Sequence, residues 1–579
     1  MKILYLILLV LFNAACSSQD STLASDEQGI GPNAGATPGA TPGAIPGAIP
    51  GAIPDVDLDA NARPPNIVFI YIDDLGWTDL WDSDFYQTPN IDAFRKQSLS
   101  FTRAYTSPLC APSRAALMSG KYGVTTGVYK VGGERKSLQT YKPNNQFAYS
   151  MLEPQSKTSL STDFYTIAES LKTKNYQTIH LGKWHLSAEN GPANESPEQQ
   201  GFDVNYGGNH HHSPPNKDES HGFFANDQGK FPSLPNLGTV APKAYVTDHL
   251  TQLAIDWMGN IRSPENPFFM YFSHFAVHTP IQVTTEYQDR IRQEAQAKGI
   301  NLHEQKCAPG AGGCWGRGTP QCGTGQKHCN LNYAAMLRNL DDNFGRILKY
   351  LEQTPENSAK PNGAKLIDNT IVIFYADNGG FVTQSSQKPL RGAKGNIYEG
   401  GVLVPLMVRW DNRIQANTES DIPVINVDFF PTFNALAGVQ YDAQATLYNS
   451  DVNTYRDLDG VDISPILFNN SSKDTLRNRY LFWHYPMSPS RLWDNHPTSA
   501  IIQDNMKLIY NYGLREFELY DLQADRNETT NLINTPNLEP TANRLAGELR
   551  DWVGTRLLPR VKYSEKGRVL PQRVPEKVK

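Results

Sequence analysis

The chain has 579 residues, 39% of them hydrophobic and 19% charged, with a formal net charge of −6. That length and apolar content can bury at least one large core, and so small a net charge leaves no basic stripe for a phosphate backbone, which excludes nucleic acid as an expected partner. An anionic substrate would have to be met by cations gathered locally.

In chain order, the start "MKILYLILLVLFNAAC" has one Lys, a short apolar run and then small residues. That is the form of an export signal rather than a membrane span of about 20 residues. Cys16 after Ala14 and Ala15 matches the lipidation site of a bacterial lipoprotein, with Asn13 where an aliphatic residue is usual; plain secretion is the alternative. Residues 35–54 repeat a Gly-Ala-x-Pro tetrapeptide five times. Such Pro and Gly content forbids a packed element and favours a semi-extended spacer. The expectation is an exported lipoprotein facing the periplasm or cell surface and touching the membrane only through its lipid, or else a soluble periplasmic or secreted form.

From Pro65 the run "NIVFIYIDDLGW" reads as a strand buried on both faces. So do "TIVIFYADNGG" at 370–380, "PFFMYFSHFAVHTP" from Pro267 and "VLVPLMVRW" from Val402, and "YQTIH" adds another. Helical segments over 165–174, 247–258 and 333–351 lie between them. This alternation predicts an α/β sandwich, a mostly parallel central sheet covered by helices. Beyond about residue 470 come short alternating strands, "AIIQDNMKLIYNY" and "REFELYDLQ", and a helix over 541–557. They predict a smaller C-terminal domain with an antiparallel sheet. The last twenty residues, from Arg560, carry seven Lys or Arg against two Glu and read as a solvated tail.

Cys307, Cys314, Cys322 and Cys329 are spaced C-x6-C-x7-C-x6-C in a Gly-rich segment. Zinc sites want tighter pairs, so two disulfides pinning an insertion are expected, with all three pairings open. This even set leaves Cys110, in "LCAPSRAALMSGKY" beside a Pro-Ser-Arg turn, without a partner.

Two strand runs end in oxygen-rich pairs, Asp73-Asp74 and Asp377-Asn378. Carboxyl ends of parallel strands line the ligand crevice of α/β sheets. Four hard oxygen donors suit Ca²⁺, or less well Mg²⁺, better than Zn²⁺, although each pair alone equally fits a turn or cap. In "LGKWHLS", Lys183 and His185 would point the same way if the segment is extended. "RGAKGNIYEGG" puts Arg391 and Lys394 in a Gly-rich loop where backbone can approach an anion, and "AVHTP" puts His278 at another strand end.

These pieces, with "TPNIDAF", "GFD", "YAAMLRNLDDNFGRIL", "VDFFPT", "LDGVDISPIL" and "ELYDLQADRNETTNL", run in order from about 66 to 535. In them the sequence resembles the formylglycine-dependent sulfatases of the alkaline phosphatase superfamily, bacterial polysaccharide sulfatases among them. The resemblance implies that a maturation enzyme oxidises Cys110 of C-x-P-S-R to formylglycine. The hydrated aldehyde then attacks sulfur, and the resulting hemiacetal sulfate collapses to release sulfate. It further implies Asp73, Asp74, Asp377 and Asn378 as Ca²⁺ ligands with an oxygen of modified Cys110, Arg114 hydrogen-bonded to the formylglycine, and Lys183 and Lys394 on sulfate oxygens. His278 would protonate the leaving alcohol and His185 assist the collapse; Arg391 stands between supporting the site and plain loop packing.

The expected division is 1–15 as the signal, 16–62 as lipidated N-terminus and linker, 63–470 as the sulfatase-like catalytic domain that the resemblance implies, and 471–579 as the C-terminal subdomain and basic tail. The expected substrate is a sulfated carbohydrate, an algal polysaccharide or a glycosaminoglycan fragment. Rivals are a phosphonate or phosphate ester hydrolase of the same superfamily and a non-catalytic sulfated-glycan binding lipoprotein. Loops bearing His210 to His212, Trp483, His484, Trp493 and His496 are candidates for sugar contact. The histidine run reads equally well as exposed and mobile, and it stays outside the expected site.

Overall fold

Apolar runs rich in Val, Ile, Phe and Tyr form the middle of the protein, because only a sheet covered on both faces buries both sides of such strands. The computed structural model describes residues 63–131, 138–141, 149–152, 156–189, 195–214, 222–304, 320, 322–324, 326–357, 362–439, 458–486, 497–557, 574–575 and 578. The central strands are Asn66–Ile72, Gln177–Gly182, Phe268–Ser273 and Thr370–Ala376, and every residue in them except Gln177 is buried.

They lie within an eight-stranded sheet. Its order is Thr418–Ser420, Leu99–Phe101, Leu406–Arg409, Thr370–Ala376, Asn66–Ile72, Phe268–Ser273, Gln177–Gly182, Val204–Tyr206. All neighbours are parallel except Leu406–Arg409, which runs antiparallel to both of its own. The apolar run from Val402 is therefore not one strand. It begins as a helical turn, Glu399–Val402, and joins the sheet only after Pro405, which has no N–H to give a ladder.

Helices cover both faces. Pro89–Lys96, Val246–Asp256 and Thr285–Lys298 pack around the long helix Leu331–Gln353, while Cys110–Ser119, Ile167–Lys172 and Phe429–Leu436 pack together. Ring contacts assign the faces. Phe69 meets Phe429 and Phe433 at 5.1 and 5.8 Å, and Phe374, one residue beyond the partner of Phe69, meets Phe344 at 5.2 Å. Successive strand residues point to opposite faces, so the two helix groups sandwich the sheet.

A second sheet is antiparallel throughout, with strands Tyr480–Tyr485, Thr498–Gln503, Met506–Asn511 and Glu516–Asp521 in chain order. Helix Glu539–Leu557 closes it, with Trp552 stacked on Phe482 at 4.7 Å. Trp483 and His484, read above as loop candidates for sugar contact, lie in the first strand of this sheet. Trp483 is buried and its Nε1 donates to Thr106 O at 2.8 Å, which ties this sheet to the chain ahead of Cys110.

Cys322 and Cys329 form a disulfide with Cα atoms 5.5 Å apart, one of the three pairings' options. Cys307, Cys314, Cys16, the 35–54 spacer, Trp493, His496 and most of the basic tail lie outside the described residues. Among the described residues no helix is long and apolar enough to cross a membrane.

Candidate active site

Strand register assembles the site. Ile72 pairs with Ala376, which sets Asp73 beside Asp377, and Gly182 pairs with Ser273, which brings Lys183 to the same end of the sheet. Asp377 N donates to Ile72 O at 3.0 Å, so the ladder continues one residue past the strands. Asp74 then takes a left-handed conformation (φ 61°) and its N donates to Asp377 Oδ1 at 3.1 Å. Gly182 has φ +89°, and a Cβ there would fall 2.0 Å from Ser273 O. His185 is also left-handed (φ 60°), its N held by Asn209 O at 2.8 Å. The Lys183–His185 segment is thus folded rather than extended.

Cys110 opens a ten-residue helix, Cys110–Ser119, so Pro112, Ser113 and Arg114 belong to its first turns rather than to a separate turn. The preceding Leu109 offers no side-chain cap, which leaves the positive end of the helix at Cys110. Ser113 pins the helix: its Oγ lies 2.7 Å from Tyr71 OH, and Asn426 Nδ2 donates to its O and Oγ at 2.9 and 3.0 Å. The buried Cys110 Sγ lies within 4.8 Å of carboxylate oxygens of both Asp73 and Asp377. Burial pushes its thiol up, against the pull of Lys183 and Lys394.

Three cations meet three carboxylates. Lys183 Nζ is 2.5 Å from Asp73 Oδ2, and Lys394 Nζ is 2.5 Å from Asp74 Oδ1. Arg114, fully buried, donates through Nε and Nη2 to Asp377 Oδ2 at 3.2 and 2.8 Å, and through Nη1 to Lys183 O at 2.8 Å and to Ser273 Oγ. Its described bonds go to Asp377 and the lysine loop rather than to Cys110. Burial raises Asp73 against Lys183, and burial with Asp73 lifts Asp377 to about 6. For Asp74, burial is overcome by Lys394, His278 and Lys183, which hold the carboxyl below its usual range.

Two imidazoles complete the wall. His278 Nδ1 lies 2.6 Å from Thr279 O, and its Nε2 is 3.8 Å from Asp74 Oδ2. That carbonyl can only accept, so Nδ1 carries the hydrogen and Nε2 faces the site. Burial, then Lys394, lowers His278 to about 3. His185 is also held well below its ordinary value, first by burial and then by Lys183, and its buried Nδ1 has no partner.

Asp73 Oδ1, Asp74 Oδ2 and Asn378 Oδ1 are buried acceptors with no donor, and Asn378 is fixed by its Nδ2, which donates to Asp74 Oδ1 at 2.8 Å. Buried acceptors without donors are costly unless something binds them, and hard oxygens suit a divalent cation. The donor set therefore fits a metal.

The structure also adds residues that the sequence reading left out. His212 is exposed at the mouth, its ring 6.1 Å from His185 and 5.9 Å from His278. His210 and His211 instead contact each other, with ring centroids 4.0 Å apart and planes tilted by 45°. Three consecutive histidines carry no spacing that says which one turns inward. Ser273 was hidden in an apolar strand. Arg391 has no described bond to the site's aspartates; it stacks 3.8 Å over Tyr398 and pairs with Glu518.

Comparison with known proteins agrees with this geometry. The sulfatase family model matches residues 65–439, and the model for the C-terminal part of N-sulphoglucosamine sulphohydrolase matches 393–554. A sulfatase of Formosa agariphila is 31% identical over 550 residues, covering 86% of this chain and 89% of that protein. Arylsulfatase A of Homo sapiens is 29% identical over 450 residues, 74% of this chain and 72% of that one. The crystal structure of Ps i-CgsB in complex with k-i-k-neocarrahexaose has the same fold, with a TM-score of 0.63 at 24% identity over 87% of this chain and 96% of that one. With its apposed Asp pairs, buried Cys110 and convergent lysines, the chain belongs to the sulfatase family.

Proposed function

We propose that the protein removes sulfate from a sulfated carbohydrate, using Cys110 after a maturation enzyme has oxidised it to formylglycine. Asp73, Asp74, Asp377 and Asn378 would hold a Ca²⁺, with an oxygen of the modified residue 110 as a further ligand. The observations that carry this reading are the three orphaned buried oxygens of Asp73, Asp74 and Asn378, and Cys110 Sγ within 4.8 Å of carboxylate oxygens of Asp73 and Asp377 at the head of a helix. Ca²⁺ tolerates an irregular set of carboxylate and amide oxygens, whereas Mg²⁺ demands a near-octahedral one. The ion would supply Lewis acidity toward sulfate oxygens.

Charge supports an anionic substrate. Asp73, Asp74 and Asp377 balance Lys183, Lys394 and Arg114, so a divalent ion leaves an excess of positive charge that a sulfate ester and an ionised hydroxyl of residue 110 offset. Hydrated formylglycine supplies two hydroxyls on one carbon, one to attack sulfur and one to expel sulfate afterwards.

The chain's own residues do the rest. Lys183 and Lys394 turn from the carboxylates to the sulfate oxygens, each positioned cation contributing about 3 kcal/mol. Arg114 keeps Asp377 ionised and, through Lys183 O, holds the lysine loop. His185 contacts the hydroxyl of residue 110 through the nitrogen that now lacks a partner. His278 gives its Nε2 proton to the departing alcohol. It is neutral in the free protein, and an incoming sulfate's negative charge raises its proton affinity against the two lysines.

The exposed His212 would stand on the alcohol's side of the site, an imidazole suited to a sugar hydroxyl. Carrageenan-type fragments and glycosaminoglycans both fit that reading, and a lipid at Cys16 with a Pro/Gly spacer would hold residues 63–470 and the 471–579 subdomain near such polymers outside the cytoplasm.

The test has two parts. In active protein, the peptide containing residue 110 should show loss of H₂S and gain of one oxygen; an intact thiol there overturns the mechanism. A panel of sulfated oligosaccharides, aryl sulfates and the matching phosphate esters should show sulfate release from an oligosaccharide, and turnover of aryl sulfates alone removes the carbohydrate reading.

A further inference from the structure

We propose that the C-terminal antiparallel sheet sets the position of Lys394 by clamping both ends of the loop that carries it, with Arg391 as a positioning residue. This rests on the reading of Lys394 as a sulfate-binding cation.

Residues 391–400 form a closed loop, because Gly400 N donates to Arg391 O at 2.8 Å. Arg391 and Glu399, at and beside this neck, are gripped by the second sheet and the segment that follows it. Arg391 Nη1 donates to Glu518 Oε2 at 3.1 Å and to Tyr520 OH at 2.7 Å, and Nη2 donates to Tyr398 OH at 2.9 Å. Its guanidinium also lies 3.8 Å over the Tyr398 ring, and Tyr398 OH in turn donates to Glu518 Oε1 at 3.0 Å. On the other side of the neck, Glu399 Oε1 meets Lys507 Nζ at 2.8 Å, and Glu399 N donates to Glu528 Oε2 at 2.7 Å.

The loop has little freedom of its own to hold Lys394. Gly392 and Gly395 have φ +75° and +86°, and a Cβ on Gly401 would fall 2.1 Å from Asn396 O. Toward the site, Lys394 N donates to Gly380 O at 3.0 Å and Gly395 N to Pro108 O at 2.8 Å, beside the Asp377 and Cys110 segments. The loop is therefore a strut: its tip touches both catalytic segments and its neck is bolted to a different sheet. An ion pair as exposed as Arg391–Glu518 is weak alone, but a planar guanidinium stacked on one ring and bonded to Glu518, Tyr520, Tyr398 and Glu528 O is held in one orientation. A displacement of about 1 Å in a group such as Lys394 is enough to lose a large part of its contribution.

The test is a double-mutant cycle on the matured protein, with the aldehyde content of residue 110 matched by mass spectrometry. Arg391→Met should weaken inhibition by inorganic sulfate and lower kcat/KM on an aryl sulfate by about tenfold. In a Lys394→Ala background the same change should alter either quantity less than about twofold. Arg391→Lys should recover only part, since a point charge does not replace the fork. Glu518→Gln probes the clamp from the partner side if Arg391→Met folds poorly. Equal losses in both backgrounds, or none in the first, overturn the clamp. If Lys394→Ala is itself silent, the sulfate-binding reading falls first and the clamp with it.

Discussion

Two buried clusters of charge lie at opposite ends of the Lys394 loop, and they are built differently. At the loop's neck, Lys507 sits 2.8 Å from Glu399 Oε1 and 2.9 Å from Glu528 Oε1; the other oxygens of these carboxylates take Tyr105 OH at 3.1 Å and Glu399 N at 2.7 Å. Each carboxylate oxygen there lies within 3.1 Å of a cation, an N–H or an O–H, Glu528 Oε1 through its ion pair with Lys507 alone. At the sheet tip, Asp73 Oδ1, Asp74 Oδ2 and Asn378 Oδ1 face none. A satisfied buried network holds a fold together, whereas an unsatisfied one of similar burial is kept for what binds to it.

The first way to break this comparison is to remove the reacting side chain. Cys110→Ala should lower sulfate release at least about a thousandfold, as loss of a nucleophile does, while leaving the melting temperature within a few degrees. Lys507→Met should do the reverse in kind. It strands two buried carboxylates and should destabilise the protein by about 3–5 kcal/mol in denaturant titration. If Lys507→Met proved as stable as the parent, the neck would not be the structural cluster described.

A metal sharpens the contrast further. Stripping divalent ions with a chelator should abolish turnover, and Ca²⁺ should restore it better than Mg²⁺. At about a hundred times its Kd, a ligand that binds only the folded state adds about 2.7 kcal/mol. That gain should appear as a higher melting temperature in the parent and vanish in Asp74→Asn, whereas Lys507→Met should retain it.

The sequence made the sheet tip legible because its logic is local. Asp-Asp and Asp-Asn end two apolar runs, and parallel strands bring their carboxyl ends together whatever the loops between them do. Cys110, Lys183 and Lys394 stood out locally, as an unpartnered cysteine and as lysines in a post-strand segment and a Gly-rich loop, but their roles came only through the family pattern, since a lone Cys or Lys carries no period. What failed to show was either a proline inside an apolar run or a contact between residues far apart in the chain. Pro405 cut a seemingly continuous strand, and Trp483 was drawn into an interface by Thr106, 377 residues away. Nothing in "HHH" distinguishes His212 from its neighbours; the Asn209 contacts that hold the backbone there decide which ring faces His185 and His278.

His212 gives a smaller and more selective effect. His212→Ala should raise KM for a sulfated oligosaccharide by about tenfold, the worth of a hydrogen bond to a sugar hydroxyl, and leave a small aryl sulfate unchanged. Equal changes on both substrates would place His212 with the sulfate-binding groups rather than on the alcohol side.

A pH dependence at the neck tests the same cluster without removing its lysine. Burial, and then Glu399, raises Glu528 to about 7 despite Lys507, so its folded pKa lies above that of an unfolded glutamate. Below the unfolded value the group is protonated in both states, and its relative contribution to stability is greatest. As pH rises toward 7 the unfolded chain ionises first, and the contribution is lost. Glu528→Gln removes that titration yet keeps an oxygen to accept from Glu399 N. The melting temperature of the parent relative to Glu528→Gln should therefore fall between about pH 4.5 and 7 and level off above it. A difference that stays flat across this window would mean that Glu528 is already ionised at its low end, with Lys507 compensating its burial in full.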